Sequence, residues 1–260
     1  MIRKRFFIFV VCLLAMSLAS CTGNPGTGVS NGTATRGKNP IEPLPRLIDN
    51  SPGENHFDTL IQLTDGGVNR GPVFQDNGRK VGFTSLRPPN TKFQNYAMFV
   101  DASGLELVSE ETAKPVRDAT PAQLGKEIRC FTAIAGTSGQ ELYSGVFPHP
   151  IGEVTEVLIS IDGGEPKVVS SEGQKAGEPT LTPDGRYVVY SGESGEGEYD
   201  LFVHDLEFGT NEKITTTSGF DGDPAFSKDG RRLLFVSQRN DKDPEEYNLF
   251  VADWLLIQEE

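Results

Sequence analysis

Short segments of alternating apolar and polar residues, each joined to the next by a glycine turn, recur along this chain. Three of them align without gaps, beginning at Pro72, Pro179 and Pro224. Each segment places an Asn-Gly or Asp-Gly pair before a run of the type Arg-x-Val-x-Phe, such as Arg-Lys-Val-Gly-Phe in the first one. These pairs supply the positive φ values of tight hairpin turns, and the alternation suits half-buried strands. Each segment therefore predicts two short antiparallel strands.

A weaker copy begins at Ala133, so we predict four repeats, with turn glycines at Gly78, Gly139, Gly185 and Gly230. A third predicted strand ends in aspartate in every copy, at Asp101, Asp162, Asp205 and Asp253. A fourth ends in Ser or Thr, at Ser109, Ser170 and Thr215. A four-stranded unit that repeats at this spacing is typical of the blades of a β-propeller.

The last copy lacks its fourth strand, and a matching segment, 60–64, stands before the first copy. We expect this N-terminal strand to complete the last blade, which would close the ring and remove exposed strand edges. The predicted fold is an all-β propeller of about four four-stranded blades over residues 57–260, with an insertion at 109–127. A β-sandwich or an open solenoid of the same units is the alternative, because alternation does not distinguish a ring from a stack.

The repeat resembles the TolB-type β-propeller repeat, whose pattern is Pro-x-Phe-Ser-x-Asp-Gly-Arg, an apolar strand and Phe-x-Ser-x-Arg. Residues 83–87 and 235–239 carry that tail, and the match spans roughly residues 60–254. Members of that family commonly have six or more blades, so four is a departure. The resemblance implies an interaction or scaffolding role at a bacterial envelope.

The N-terminus predicts export and a lipid anchor. Three basic residues, 3–5, precede an apolar run, 6–18, that is too short to span a bilayer comfortably. The following Leu-Ala-Ser-Cys21 resembles the lipobox of bacterial lipoproteins, in which the cysteine is acylated and becomes the new N-terminus. We therefore predict a signal peptide at 1–20 and lipidation of Cys21. Thr22 is not the Asp that commonly retains such proteins at an inner membrane, so the outer membrane is favoured in a two-membrane source.

Residues 21–56 predict a flexible linker, because they are mostly Gly, Thr, Asn, Ser and Pro. Cleavage before Cys21 removes three positive charges and changes the net charge from −13 to −16. Such an acidic chain is not expected to bind nucleic acid, which requires clustered Lys and Arg. The lipid on Cys21 should be its membrane contact.

The candidate binding face is acidic. The loops between second and third strands carry Glu193, Glu196 and Glu198 in copy three and Asp241, Asp243, Glu245 and Glu246 in copy four. The segments that lead into first strands add Glu178, Asp221 and Asp223, whereas the matching loop of copy one is basic, with Arg87. This face could be a solvated rim, a site for a cationic segment or an irregular calcium site, since calcium prefers oxygen ligands.

Two functions follow from these residues. The first is a non-catalytic module that binds an envelope protein or peptide and needs no cofactor. The second is an enzyme or saccharide-binding protein of the glycan lyase or hydrolase class, in which Glu178 and Asp223 face each other across the channel mouth as acid and base. Asp221 and His204 are more distant candidates for that chemistry. The sequence does not assign a catalytic residue or an oligomeric state.

Overall fold

A computed structural model describes residues 44–109, 127–140, 154–239 and 245–255 of the chain. Within these ranges the regular structure consists of strands and one 3₁₀ turn, at Asp76–Gly78. None of the described segments forms a helix of the length and apolarity needed to cross a membrane. The predicted lipidation site, Cys21, lies outside the described residues, as do positions 110–126 of the predicted insertion.

Sixteen strands follow one another along the described chain. They are β1 (Arg46–Ile48), β2 (Phe57–Gln62), β3 (Val68–Gln75), β4 (Lys80–Leu86), β5 (Gln94–Phe99), β6 (Glu106–Leu107), β7 (Ile128–Ile134), β8 (Thr155–Ile161), β9 (Lys167–Val168), β10 (Ala176–Leu181), β11 (Tyr187–Gly195), β12 (Glu198–Asp205), β13 (Thr210–Lys213), β14 (Asp221–Phe226), β15 (Arg232–Ser237) and β16 (Asn248–Trp254).

These strands form four antiparallel sheets, one for each predicted blade. Blade one has the order β3-β4-β5-β6, blade two β7-β8-β9, blade three β10-β11-β12-β13 and blade four β14-β15-β16-β2-β1. The blades pack against one another through their inner strands: β10 contacts β7, β14 contacts β10, and β3 contacts β14. The prediction of a four-bladed β-propeller is confirmed.

The N-terminal strand completes the last blade, as predicted. Strand β2 pairs with β16 so that Gln62 lies opposite Phe250 and Leu60 lies opposite Ala252. A further strand was not predicted: β1 pairs with β2 through Arg46 and Gln62, and it lies inside the segment assigned to the flexible linker. Blade four therefore has five strands.

In blade two, the strand positions differ from those that the sequence predicted for the second repeat. Strand β7 pairs directly with β8, with Ile128 opposite Ile161, in the same way that the second strand of blade three pairs with the third. It therefore takes the second position in its blade, and the turn at Gly139 follows that strand instead of preceding it. The degenerate sequence of this copy had suggested the wrong register. A strand at the first position of blade two is not among the described residues.

The hairpin turns of blades three and four depend on one glycine each. Gly185 and Gly230 have φ values of 75° and 71°, whereas the aspartates before them do not have positive φ. Asp184 instead accepts hydrogen bonds from the Thr182 hydroxyl and the Arg186 amide. The expectation that both residues of the Asp-Gly pair adopt positive φ is wrong here, because the aspartate caps the turn with its side chain.

The hydrophobic core lies between neighbouring blades, since each sheet is apolar on both faces. One cluster joins Leu201 and Ile214 of blade three to Phe235 and Phe250 of blade four. A second joins blades one and four, and a third joins blades two and three. This layered burial holds the first strands close together around the propeller axis, where the candidate site lies.

Candidate functional site

The first strands of blades one, three and four share a bulge at the same position of the repeat. Gly71, Glu178 and Asp223 each precede a proline and have φ values of 54°, 53° and 53°. The strand register shifts at each of these positions. Glycine adopts this conformation freely, but Glu and Asp adopt it at a cost of about 1 kcal/mol or more. Backbone strain in two acidic residues at the propeller axis marks this region as a candidate site.

A chain of side-chain to backbone hydrogen bonds connects these positions across all four blades. The Gly71 amide donates to Asp223 Oδ2 (2.8 Å), and the Asp223 amide donates to Glu178 Oε2 (3.1 Å). The Glu178 amide donates in turn to Thr132 Oγ1 of blade two (3.2 Å). Amides that the bulges remove from strand pairing are thus satisfied by the neighbouring blade. We call this arrangement the axial clasp.

The two acidic residues of the clasp lie side by side, since the Asp223 amide donates to Glu178 Oε2. The Ser191 hydroxyl also donates to Glu178 Oε2 (3.2 Å), and both carboxyl groups are buried. Burial raises the pKa of Glu178 well above its usual value, and the negative charge of Asp223 raises it further. The nearby guanidinium of Arg70 opposes this shift.

Arg70 links the clasp to an aromatic cluster at one face of the propeller. Its Nη1 lies 3.8 Å from Asp223 Oδ2, and its guanidinium lies 4.7 Å from the ring centroid of Phe220 and 5.4 Å from that of Tyr247. Cation–π contacts of this kind favour a partly desolvated arginine. The sequence did not single out Arg70, because its partners come from distant repeats.

The same face is reinforced by two parallel bridges between blades. Tyr199 pairs with Phe220 and connects blades three and four, while Tyr247 pairs with Val68 and connects blades four and one. Both tyrosines stand at the start of a third strand, in the repeated sequence Glu-Tyr-Asp/Asn-Leu-Phe. The repeat therefore encodes contacts between blades as well as strands within them.

A second charged cluster is buried on the N-terminal side of blade four. Arg239 binds Glu54 through two hydrogen bonds, Nη1 to Oε2 at 3.1 Å and Nη2 to Oε1 at 2.9 Å. Its Nη2 also lies 3.4 Å from Asp221 Oδ2, and its Nε donates to the Ser237 hydroxyl. The side chains of Arg239, Glu54 and Asp221 are 2%, 0% and 2% exposed. This buried ion cluster fastens the segment before β2 to blade four.

Asp221 is therefore buried and not exposed on the candidate binding face, which corrects the sequence-based prediction. Burial raises the pKa of this carboxyl group, although the charge of Arg239 and hydrogen bonds from Ser237 and Thr217 lower it in part. The Arg239 guanidinium also lies over the rings of Phe235 and Phe250. Asp221 belongs to the packing of blade four.

Arg87 occupies the position in blade one that Arg239 has in blade four. It donates to Asn69 Oδ1 (3.1 Å) and lies 6.0 Å and 5.9 Å from the ring centroids of Phe83 and Tyr96. Burial lowers its pKa. The predicted basic counterpart of the acidic loops is thus a packed residue, and the Arg of the Phe-x-Ser-x-Arg tail is used here to hold the blade together.

The other described acids of the predicted binding face lie around the turn between β11 and β12 and in the residues just before β16. Glu193 forms an ion pair with Lys175 (3.1 Å), Glu198 accepts a hydrogen bond from the Gly219 amide, and Glu196 is exposed in the turn between β11 and β12. Glu245 is exposed and Glu246 lies beside Gly66. Asp241 and Asp243 lie outside the described residues. We call Glu193, Glu196, Glu198, Glu245 and Glu246 the acidic rim, to which Asp241 and Asp243 are assigned by sequence alone.

Two surface depressions lie next to the rim, and neither reaches the clasp. Both are lined by Ser171 to Gln174; one extends to Glu193 and Glu196, and the other extends to Ala135 and Val168. In the part of the chain that the structure describes, no group of three His, Cys, Asp or Glu side chains is arranged to hold a metal ion. His204, the other candidate for acid–base chemistry, contacts Asn211 Oδ1 through Nδ1.

The strand order, the closing strand and the repeat together define a TolB-type β-propeller. The Tol-Pal system protein TolB of Alcanivorax borkumensis is 29% identical over 149 residues, which cover 56% of this chain and 34% of that protein. The TolB of Francisella tularensis subsp. mediasiatica is 28% identical over 104 residues, 39% of this chain and 23% of its own length. This chain therefore spans about a third or less of these curated relatives.

Among solved structures, TolB from Acinetobacter baumannii aligns with 75% of this chain and 48% of its own, with 16% identity and a TM-score of 0.32. No family model matches the chain.

Proposed function

We propose that this protein is an interaction module of a bacterial envelope, in which the propeller binds an envelope protein or peptide through the acidic rim. The observation that carries the proposal is the division of the predicted acids into two groups. Glu178, Asp221 and Asp223 make internal contacts, whereas Glu196 and Glu245, in the loops between second and third strands, are exposed. A rim of one sign attracts a partner of the opposite sign and orients its approach.

The proposed partner is a protein or peptide segment that presents Lys or Arg. The curated relatives carry the name of the Tol-Pal system, and an envelope location for this chain is consistent with its predicted signal peptide. The acid–base enzyme remains the second candidate, since Glu178 and Asp223 do meet. Their oxygens, however, already accept bonds from Gly71, Asp223 and Ser191, so a substrate would have to displace contacts that join the blades.

Charge reversal of the rim tests the proposed binding. Changing Asp241, Asp243, Glu245 and Glu246 to Lys is expected to reduce capture of the envelope partner at least about tenfold, because attraction would become repulsion. Capture would be measured by quantitative mass spectrometry with wild type and variant immobilised at equal density, at low and at raised salt. Equal capture by both proteins would contradict the proposal.

A matched control has the same change of charge on another part of the surface. Asp58, Glu165, Glu207 and Asp253 are exposed residues of or next to the strands, away from the rim loops. Changing these four to Lys should leave capture close to that of wild type. Both variants should melt within a few degrees of wild type, so that a loss of capture is not a loss of folding.

The second part of the proposal is that lipid on Cys21 holds the module at a membrane. Replacing Cys21 with Ser is expected to abolish incorporation of a labelled fatty acid and to move the protein from the membrane fraction to the soluble fraction. A Cys130→Ser variant is the control, because Cys130 lies within strand β7 of the propeller. Fatty-acid labelling that persists in Cys21→Ser would refute the anchor without affecting the rim experiment.

A further inference from the structure

We propose that Glu178 and Asp223 share one proton across the junction of blades three and four and make this junction pH-sensitive, tightest in acid and looser towards neutral pH. The proposal concerns the axial clasp and does not depend on the binding partner. It rests on four observations: the adjacency of Glu178 and Asp223, the confinement of their side chains, the charges around them and the position of the junction.

Two carboxyl groups that are held side by side in a buried site favour sharing one proton, because two carboxylates offer acceptors without a donor and repel each other. The geometry prevents the pair from separating into water. The Asp223 side chain is 8% exposed, and its Oδ2 accepts from the Gly71 amide, while Glu178 Oε2 accepts from the Asp223 amide and from Ser191. The bulges also fix both backbones at positive φ, which limits how far either residue can rotate.

The surroundings compensate one negative charge but not two. Strand β3 contributes the guanidinium of Arg70, which lies near Asp223 and is 17% exposed. Strands β7 and β11 contribute the hydroxyl groups of Thr132 and Ser191, which carry no charge. Loss of the shared proton therefore leaves two carboxylates and one guanidinium in a poorly hydrated space, where repulsion is weakly screened.

The sign of the effect follows from the protonation of Glu178. Because burial and the charge of Asp223 raise the pKa of Glu178 in the folded protein, folding favours the protonated acid. The resulting stabilisation is fully present below the usual pKa of 4.5 and is lost as the pH rises through the raised pKa of the folded state. The repulsion then acts between β10 and β14, which are the first strands of neighbouring blades.

Thermal melts of the full chain at a series of pH values test whether this junction is pH-sensitive. Between about pH 4.5 and about pH 8, we expect the Tm of wild type to fall relative to that of Glu178→Gln by on the order of 5 °C. Gln cannot ionise and still offers a donor to Asp223. Glu196→Gln, which removes an exposed rim carboxyl, is the matched control and should follow wild type. Parallel curves for wild type and Glu178→Gln would overturn the proposal.

Two measurements on the wild-type chain keep the proposal testable if Glu178→Gln does not fold. Carboxyl ¹³C NMR should show Glu178 titrating well above the range of the exposed glutamates. Hydrogen exchange, corrected for the intrinsic effect of pH, should become faster in 176–181 and 221–226 as the pH rises. A Glu178 that titrates with the exposed glutamates, or exchange in these strands that does not change, would show that no proton is shared.

Discussion

Deleting residues 57–64 is expected to unfold the whole propeller domain instead of one blade. The deletion removes β2, whose Phe57 and Leu60 are 3% and 1% exposed, together with Leu63, which is 1% exposed. Fully burying side chains of this size contributes about 1.5–3 kcal/mol each. The loss from three of them approaches ~5–9 kcal/mol, comparable to the entire net stability of a typical domain.

The packing of these side chains explains why the effect should spread. Phe57 and Leu60 belong to the cluster that joins blades three and four, whereas Leu63 belongs to the cluster that joins blades four and one. The deletion therefore weakens two junctions at once. Circular dichroism and a thermal melt would show loss of cooperative unfolding. A control deletion of 24–40 should leave the Tm unchanged, and a normal melt after deletion of 57–64 would mean that β2 does not hold the domain together.

Replacing Arg239 with Met is expected to destabilise the domain by about 3–5 kcal/mol, because it leaves Glu54 and Asp221 buried without their counter-charge. For a domain of this size, that loss corresponds to a fall in Tm of about 10 °C or more. Urea titration followed by tryptophan fluorescence would measure the change, since Trp254 lies in blade four.

Arg231 supplies the control, because it is an exposed arginine near the start of the same hairpin. Arg231→Met should change the free energy of unfolding by less than about 0.5 kcal/mol. The double variant Arg239→Met/Glu54→Gln should recover part of the loss, since removing one of the unpaired buried charges reduces the desolvation cost. If Arg239→Met were no worse than Arg231→Met, the ion cluster would not stabilise blade four.

The sequence predicted most of the fold because each repeat is specified locally. The Gly turns, the alternation of the second strands and the displaced segment 60–64 determined the blades and the closing strand. Copy two was misaligned because its turn signal is weak and Gly139 was the clearest glycine available. Strand β1 was missed because three residues, Arg46–Ile48, show too little alternation to identify a strand; it is stabilised by pairing with β2.

The candidate site was predicted in part: the sequence identified acidic residues that lie there, but it did not show which charged side chains are buried. The sequence suggested that Glu178 and Asp223 could face each other, because both precede first strands of adjacent blades. It placed Asp221 and Arg87 on the candidate binding face, because a local pattern does not reveal the distant partners that bury a charge. Glu54 and Arg239 are 185 positions apart in the chain, and no spacing rule connects them.

The unpredicted strand β1 also determines how the domain would respond to mechanical load. A pull from the proposed membrane tether would reach the propeller at Arg46, the end of β1 that pairs with Gln62 at the far end of β2. In this antiparallel geometry the load opens the β1–β2 pairs one at a time. Strand β1 can therefore peel away and lengthen the tether while the Glu54–Arg239 ion pair still protects β2. A short edge strand would thus separate under load before the strands of the propeller do.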